Sequence, residues 1–195
     1  MKTQGNSESF QGEGLRDHFL LAMPRLTDAI FAHSITYLCE HNEHGAMGIV
    51  INHPLEVCVA EILEHLHISA EGRLRDIPVL AGGPVHMDRG FVLHRPTERE
   101  WEASLKVTDE ICLTTSRDIL AAIALGEGPP DHLIALGYAG WSAGQLEAEI
   151  TENSWLTLPA DSAIIFDTPY HQRALAAAAK LGIDLNLISG VAGHA

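Results

Sequence analysis

The chain contains one short pattern that could support catalysis, Gly140-Trp141-Ser142-Ala143-Gly144. It matches the G-x-S-x-G motif of serine hydrolases, and it lies between a strand-like stretch and a helix-like stretch, as that motif requires. In such enzymes the glycines permit a sharp turn that exposes the serine, and nearby backbone N–H groups stabilise the oxyanion. An aspartate, Asp161 or Asp167, follows in the chain. Because His171 or His194 comes later still, the order Ser, Asp, His would complete a catalytic triad.

The same turn has an interpretation that needs no catalysis. Ser142 is a favourable N-cap for the helix that follows, and Gln145 three positions later would complete a capping box. A helix start could also hold an anion, but the acidic residues of this helix make its surroundings negative. The capping interpretation is favoured, and a serine hydrolase that uses Ser142, Asp167 and His171 remains the alternative.

Cysteine and histidine residues near position 40 form a second candidate cluster. Strand alternation places Cys39 and His41 on one face, and His44 and His53 lie close in the sequence. A metal ion needs three or four converging donors, and a thiol beside an imidazole could act as a nucleophile. A buried cysteine with solvated histidines explains the same residues, so no metal site is predicted. A polar helix face explains the remaining cluster in the same way: Glu61, Glu64, His65 and His67.

Composition narrows the class of protein. The 195 residues include 12 Lys and Arg against 26 Asp and Glu, a net charge of −14 with His neutral, and 46% hydrophobic residues. We expect one compact domain without direct nucleic-acid contact, because the basic residues are scattered and form no stripe. Three cysteines without a C-x-x-C pattern indicate reduced thiols and a cytoplasmic location. The first apolar stretch, residues 19–23, is too short for an export signal or a membrane span.

The elements that must position these residues follow from hydrophobic periodicity. Residues 1–14 predict a flexible tail and residues 15–195 a single domain. A hairpin over 35–51 is followed by a helix whose apolar stripe is Val59, Ile62, Leu63 and Leu66. Further strands are predicted at 19–23, 77–80, 90–94, 111–115, 132–136, 163–166 and 184–189, and further helices after Ser116, Ser142 and Thr168. Antiparallel signals early and strand–helix alternation late favour an α+β domain with a mixed sheet.

A glycine-rich loop over residues 82–90 separates two of these strands. It lacks the G-x-x-x-x-G-K sequence of a phosphate-binding loop, so a structural turn is the simplest interpretation. Asp88 and Arg89 could orient the turn through a local ion pair. A ligand pocket beneath the loop is left open as an alternative.

Five groups of residues along the chain together resemble one known family. They are Tyr37-Leu38-Cys39-Glu40-His41, Gly45-Ala46-Met47-Gly48-Ile49-Val50-Ile51-Asn52, Gly82-Gly83-Pro84-Val85 with Gly90-Phe91-Val92-Leu93-His94, Gly137-Tyr138-Ala139-Gly140-Trp141 with Gly144-Gln145-Leu146-Glu147, and Phe166-Asp167. The family is the AlgH (YqgE) family of bacterial proteins. The resemblance implies an α+β fold in which a small closed β-barrel is extended by mixed strands and surrounded by helices. It implies a proposed regulatory role but no catalytic residues, since the position of Ser142 is often glycine or acidic in that family.

The sequence therefore predicts a cytoplasmic, non-enzymatic regulatory or binding protein, with a role in transcriptional regulation that does not involve direct DNA contact. An unidentified protein or small molecule would bind near residues 82–90 and 137–144. No cofactor, metal ion or membrane contact is expected. The candidate surface residues are Gly82, Gly83, His86, Arg89, Tyr138 and Trp141.

Overall fold

The computed structural model describes residues 14–69, 74 and 76–185, and this part of the chain contains ten strands and five α-helices. The strands are β1 His18–Ala22, β2 Ile35–Asn42, β3 Gly45–Val50, β4 Pro54–Cys58, β5 Pro78–Ala81, β6 Val85–His94, β7 Ser104–Lys106, β8 Cys112–Thr114, β9 His132–Ser142 and β10 Trp155–Pro159. The helices are α1 Val59–His65, α2 Arg117–Ala124, α3 Gln145–Thr151, α4 Ser162–Phe166 and α5 Arg173–Lys180, and a 3₁₀ turn at Tyr170–Gln172 precedes α5. Within the described ranges, no helix is long and apolar enough to span a bilayer.

One mixed sheet organises the fold. Its strand order is β10-β1-β2-β3-β9-β6-β8-β7, and β5 pairs with both β9 and β4. The pairing of β5 with β9 is parallel, and the other described pairings are antiparallel. The predicted α+β class with a mixed sheet is therefore confirmed. The closed barrel is not shown, because the sheet curls into an open half-barrel and the described residues contain no pairing between its end strands, β10 and β7.

Local patterns predicted most elements, and two predictions need correction. The hairpin of β2 and β3 is present, with only Glu43 and His44 between the strands. The strand predicted at 163–166 is wrong, because these residues form α4. A short apolar run does not by itself distinguish strand from helix, and here Asp161 decides it by accepting a hydrogen bond from the Ala163 N–H at 2.9 Å. The prediction of Ser142 as an N-cap is also wrong, because α3 begins at Gln145 with Gly144 as its N-cap.

The structure also differs from the predictions in several strands. Strands β4, β7 and β10 were not predicted, and β9 runs six residues past the predicted end at Leu136. Arg173 fixes the start of α5, since its buried guanidinium donates to the backbone oxygens of Thr168 and Ile51. Burial lowers the pKa of Arg173 to about 10. The tail expected at 1–14, apart from Gly14, and most of the strand expected at 184–189 lie outside the described residues.

Apolar residues form three buried clusters around the sheet. The largest joins the inner residues of β1, β2, β3, β6 and β9 to α4 and α5. A second lies between the sheet and helices α1 and α2. The third contains Trp141, Trp155 and Leu146, with Phe31 packed against them, and it supports the end of β9.

Strand β9 changes its neighbour where the chain crosses it at Gly82 and Gly83. As far as Leu136, β9 pairs with β5 along the edge opposite β6. From Ala139 onwards, the same edge of β9 pairs with β3. Gly82 connects the two regions, because its N–H donates to Leu136 O at 2.8 Å and its carbonyl accepts from Val50 N–H at 2.9 Å. A Cβ on Gly82 would lie 2.3 Å from Gly137 O, so only glycine allows the backbones to approach this closely.

We predict that Gly82→Ala lowers the free energy of unfolding by about 3 kcal/mol, because the new methyl group would overlap the Gly137 carbonyl. Urea unfolding followed by circular dichroism measures the change. Gly90→Ala is the matched control, since a Cβ at Gly90 meets no atom within 4 Å. Equal stabilities for the two variants would contradict the prediction.

Candidate functional site

An open groove of about 570 Å³ lies on the surface where β2, β3 and β9 run side by side and β6 begins. It is a shallow, open depression rather than an enclosed cavity. Two of the residues predicted to form a binding surface, Tyr138 and Trp141, line it. The other lining residues are Glu40, Asn42, His44, Gly45, Ala46, Met47, Val85 and Gly140.

Strand register builds the floor of this groove. Glu40 of β2 pairs with Met47 of β3, and Met47 pairs with Gly140 of β9, so the three form a row across the sheet. Residues directly opposite each other point to the same face of a sheet, so the side chains of Glu40 and Met47 share the groove face. The row leaves an apolar centre with an exposed carboxylate at one end.

Gly140 keeps the floor of the groove open because it carries no side chain. A Cβ built there would meet the Tyr138 ring at 3.2 Å and Val85 Cγ2 at 3.9 Å, and its nearest contacts are therefore side chains rather than backbone. A larger residue at this position would project into the groove without colliding with another strand. Gly45 on the neighbouring strand differs, because a Cβ there would lie 2.1 Å from Trp141 O.

Tyr138 forms the wall of the groove at the start of β6. Its half-buried ring lies 5.6 Å from the ring of Phe91 in an edge-on contact and 6.0 Å from the imidazole of His86. Phe91 belongs to the largest buried cluster. The Tyr138 ring therefore packs against the core on one side and faces the groove on the other. The predicted surface residues His86 and Tyr138 are therefore neighbours.

Residues 86–89 project beside the groove as an exposed bulge. Val85 pairs with Tyr138 and Gly90 pairs with Leu136, so four residues of β6 lie opposite Gly137 alone. All four are exposed, and Met87 keeps 53% of its surface accessible. Arg89, another predicted surface residue, lies in this bulge. Gly82 and Gly83 are different, because their backbones lie against β9 and hold the strands together.

A carboxylate behind the groove holds two tryptophans in place. Glu149 Oε2 accepts from Trp141 Nε1 at 2.9 Å and from Trp155 Nε1 at 2.7 Å. Its Oε1 accepts from Gln145 Nε2 at 2.9 Å. The two indole rings meet edge-on at 5.9 Å, and both are almost fully buried. Glu149 therefore satisfies the N–H groups of both indoles and connects α3 to the end of β9.

His41 connects the beginning of the described chain to α3. Its Nδ1 accepts from Leu15 N–H at 2.7 Å, so Nε2 carries the proton of the neutral ring and donates to Glu147 Oε1 at 2.8 Å. The pKa of Glu147 lies below its usual range, first because its own backbone N–H donates to the carboxylate and then because His41 does. His41 is thus a positioning residue for the helix that begins beside the groove.

The structure does not bring the catalytic candidates together. Ser142 is exposed at the end of β9, and its hydroxyl lies 3.2 Å from Gln145 Oε1. Asp167 ends α4 and pairs with Arg95 at 3.2 Å. His171 lies in the 3₁₀ turn, where its ring contacts Tyr170. The earlier aspartate, Asp161, caps α4 and pairs with Lys180, and His194 lies outside the described residues.

The cysteine and histidine cluster is also dispersed. Cys39 is fully buried in the largest cluster, and burial raises the pKa of its thiol, so the thiolate required of a nucleophile is disfavoured. His41 is occupied by Leu15 and Glu147, as described above. Among the described residues, no group of three or more His, Cys, Asp or Glu side chains is placed to hold a metal ion. The three cysteines are free.

A separate polar cluster lies at the far end of β6 and β9. His94 and His132 are directly opposite in the strand pairing, and His94 is only 1% exposed. Thr114 Oγ1 lies 2.8 Å from both His94 Nε2 and Ser104 Oγ, while His132 Nδ1 donates to Pro129 O at 2.7 Å. Burial lowers the pKa of both histidines, so the neutral imidazoles are favoured.

A family model described as AlgH-like matches residues 19–186. The chain belongs to the AlgH-like family. It is 58% identical over 179 residues to a UPF0301 protein of Thioalkalivibrio sulfidiphilus, covering 92% of this chain and 96% of that one. A UPF0301 protein of Nitrosococcus oceani is 54% identical over the same shares of the two chains. These names state no activity.

Solved structures agree with the family and the fold. The solution structure of the AlgH protein from Pseudomonas aeruginosa has a TM-score of 0.78 and 50% identity, with complete coverage of both chains. A crystal structure of a protein from Corynebacterium diphtheriae has a TM-score of 0.71 over 91% of this chain and 93% of that one. Its identity is 17%, so it supports the fold alone.

The sequence singled out Gly140 as part of the G-x-S-x-G pattern, but it did not single out Glu40 or Met47, which lie beside it in the AlgH-like chain's sheet. Glu40, Met47 and Gly140 become neighbours only through the register of three strands, although they are far apart in the sequence. The available signal for Glu40 was a charge at the end of an apolar run, since the first five residues of β2 are buried and Glu40 is exposed. Glu149 gave no such signal, since a carboxylate on a short helix is typical of a solvated surface.

We predict that Glu149→Ala destabilises the AlgH-like chain by about 2 kcal/mol, because two buried indole N–H groups lose their acceptor. Tryptophan fluorescence and urea unfolding report the change. Glu152→Ala, which removes an exposed carboxylate from the end of the same helix, should leave both measurements unchanged. A stability loss of the same size in both variants would contradict this assignment.

We also predict that the free energy of unfolding falls as the pH is lowered from about 7.5 to about 5.5. Unfolded histidine has a pKa of about 6.5, and burial lowers the pKa of His94 and His132, so the unfolded chain binds more protons in this range. Urea unfolding at a series of pH values measures the slope. In His132→Asn, whose amide can still donate to Pro129 O, the slope should be smaller; an unchanged slope would contradict the role of His132.

Proposed function

We propose that this protein is a cytoplasmic, non-enzymatic regulator that acts by binding a segment of another protein in the groove between β2, β3 and β9. The observation that carries the proposal is the groove itself, in which strand register places Tyr138, Met47 and a glycine floor on one accessible face. The exposed bulge at residues 86–89 extends the same surface. The predicted surface residues His86, Tyr138 and Trp141 all belong to this region or line it.

The openness of the groove supports a protein partner over a small molecule. Small-molecule sites surround most of their ligand, whereas this groove is open to solvent and has the exposed Met87 beside it. Methionine is a common residue at adaptable binding surfaces. A nucleic-acid partner is disfavoured by the net charge of −14, because phosphate contacts require clustered lysine and arginine.

A regulatory role is supported by the family rather than by any single residue. The AlgH name belongs to a family with a proposed regulatory role, and a protein whose charge disfavours DNA can regulate through another protein. The serine hydrolase alternative lacks support, because Ser142, Asp167 and His171 have separate partners. Reduced, free cysteines are consistent with the cytoplasm.

We predict that Gly140→Val abolishes binding in the groove without unfolding the protein, because the new side chain would occupy the floor beside Tyr138. A phage-displayed library of random linear peptides is selected against the wild-type protein, and the enriched peptides are then tested on the variant. We expect at least a tenfold loss of affinity. Circular dichroism and the urea midpoint establish that the variant is folded.

Gly90→Val is the matched control. Gly90 pairs with Leu136, which packs in the cluster beneath α1 and α2, so the same substitution is made on the opposite face of the sheet. The control should bind the enriched peptides like the wild type. Failure of the wild type to enrich any peptide, or full binding by Gly140→Val, would overturn the proposed function.

A further inference from the structure

We infer that the groove binds a basic, extended segment of its partner, and that this segment continues the sheet by pairing with the free edge of β9 at Gly140. The inference rests on the proposed function and specifies the chemistry of the partner. It is carried by two features of the groove, the unpaired backbone edge beside its floor and the carboxylate of Glu40 at one end.

Among the described residues, no strand pairs with Gly140 along the edge of β9 that faces away from β3. Pairing with β6 along this edge ends at Tyr138 and Val85, and the described residues contain no strand that continues it. Trp141 O faces β3, since it lies where a Cβ of Gly45 would be. Because N–H and C=O groups alternate between the two edges of a strand, those of Gly140 and Ser142 point to the free edge.

One contact agrees with this orientation and limits the free edge to a short stretch. The N–H of Ser142 donates to Gln145 Oε1 at 3.0 Å, so it points away from β3 and is already satisfied by the first side chain of α3. Gly140 carries no side chain and is exposed, so a second backbone can approach its N–H and C=O groups closely. An added strand would lie beside β9 just past Tyr138, where β6 no longer pairs with it.

The side chains of the groove favour a partner with alternating apolar and basic residues. An added strand directs every second side chain to the groove face, where Met47, Val85 and Tyr138 supply apolar contacts. Glu40 is exposed at one end of the floor, and neither lysine nor arginine is among the lining residues. His44 also lines the groove, 3.5 Å from the carboxylate of Glu43.

Charge also argues against a second copy of this chain as the occupant. Each copy carries a net charge of −14, and the groove would bring Glu40 of one copy towards an equally acidic surface. A lysine-rich or arginine-rich segment removes that repulsion, and because β3 and β9 separate Glu40 from the free edge, only a long basic side chain would reach its carboxylate. The occupant that fits is therefore an extended basic segment of a different protein.

Three synthetic peptides of equal length test this inference against the wild-type protein by ¹H–¹⁵N NMR titration. One alternates lysine and valine, the second alternates glutamate and valine, and the third alternates lysine and proline, which keeps the positive charge but removes half of the backbone donors. We expect the lysine–valine peptide to bind at least tenfold more tightly than either of the others. Its binding should slow hydrogen exchange of the Gly140 amide, which a purely electrostatic contact would leave unprotected.

Two charge variants separate local recognition from the overall charge. Glu40→Lys should weaken binding of the lysine–valine peptide at least fivefold, while Glu127→Lys, which makes the same change of charge at an exposed loop after α2, should leave it within twofold of the wild type. Raising the salt concentration should weaken binding further in the wild type than in Glu40→Lys.

The outcomes distinguish this inference from the proposed function. If library peptides bind in a Gly140-dependent manner but lack basic residues, or if the lysine–proline peptide binds as well as the lysine–valine peptide, the inference is wrong and the proposed function stands. The same conclusion follows if Glu40→Lys and Glu127→Lys behave alike, or if bound peptide leaves the Gly140 amide unprotected. If no peptide of either kind binds, the proposed function fails as well.

Discussion

The close approach of Gly82 and Gly83 to β9 is the constraint on which the rest of the structure depends. Gly82 hydrogen-bonds to strands on both sides, and Gly83 lies where a Cβ would be 2.1 Å from the carbonyl carbon of Tyr138. At this crossing β9 exchanges β5 for β3, and the positive φ of Gly137, 72°, accompanies the change. The bulge of β6 lies at the same crossing, because its four residues, 86–89, lie opposite Gly137 alone.

The crossing explains why a groove forms where it does. Strand β6 follows β9 only as far as Tyr138, so the last residues of β9 are supported by β3 on one edge and remain uncovered on the other. The buried side of this segment is stabilised separately, by the two tryptophans whose indoles donate to Glu149. Packing of the two tryptophans therefore holds the end of β9 in place although one of its edges is unpaired. The backbone groups of that edge stay ordered and accessible.

Local signals in the sequence predicted the hairpin and helix α1, because these depend on alternation and helical periodicity. They did not predict α4, where a single cap by Asp161 decides between helix and strand. Local signals also did not predict the row of Glu40, Met47 and Gly140. This row depends on the register between strands, which includes a bulge near Cys39 and the crossing at Gly82. Long-range pairing, rather than residue type, determines which side chains become neighbours here.

The G-x-S-x-G pattern shows how similar residues can serve different physical needs. A nucleophile requires glycines for a strained turn, whereas here Gly140 opens a surface and Gly144 caps α3 in a left-handed conformation. Ser142 lies between them with its N–H satisfied by Gln145, which closes the outer end of the free edge. An edge that must accept a partner also has to resist self-association, and native sheets achieve this with short exposed edges and charge. The short free stretch at Gly140, the exposed Glu40 two strands away and the net charge of −14 would together meet both requirements for the proposed partner, because they repel another copy of the chain and favour a basic strand.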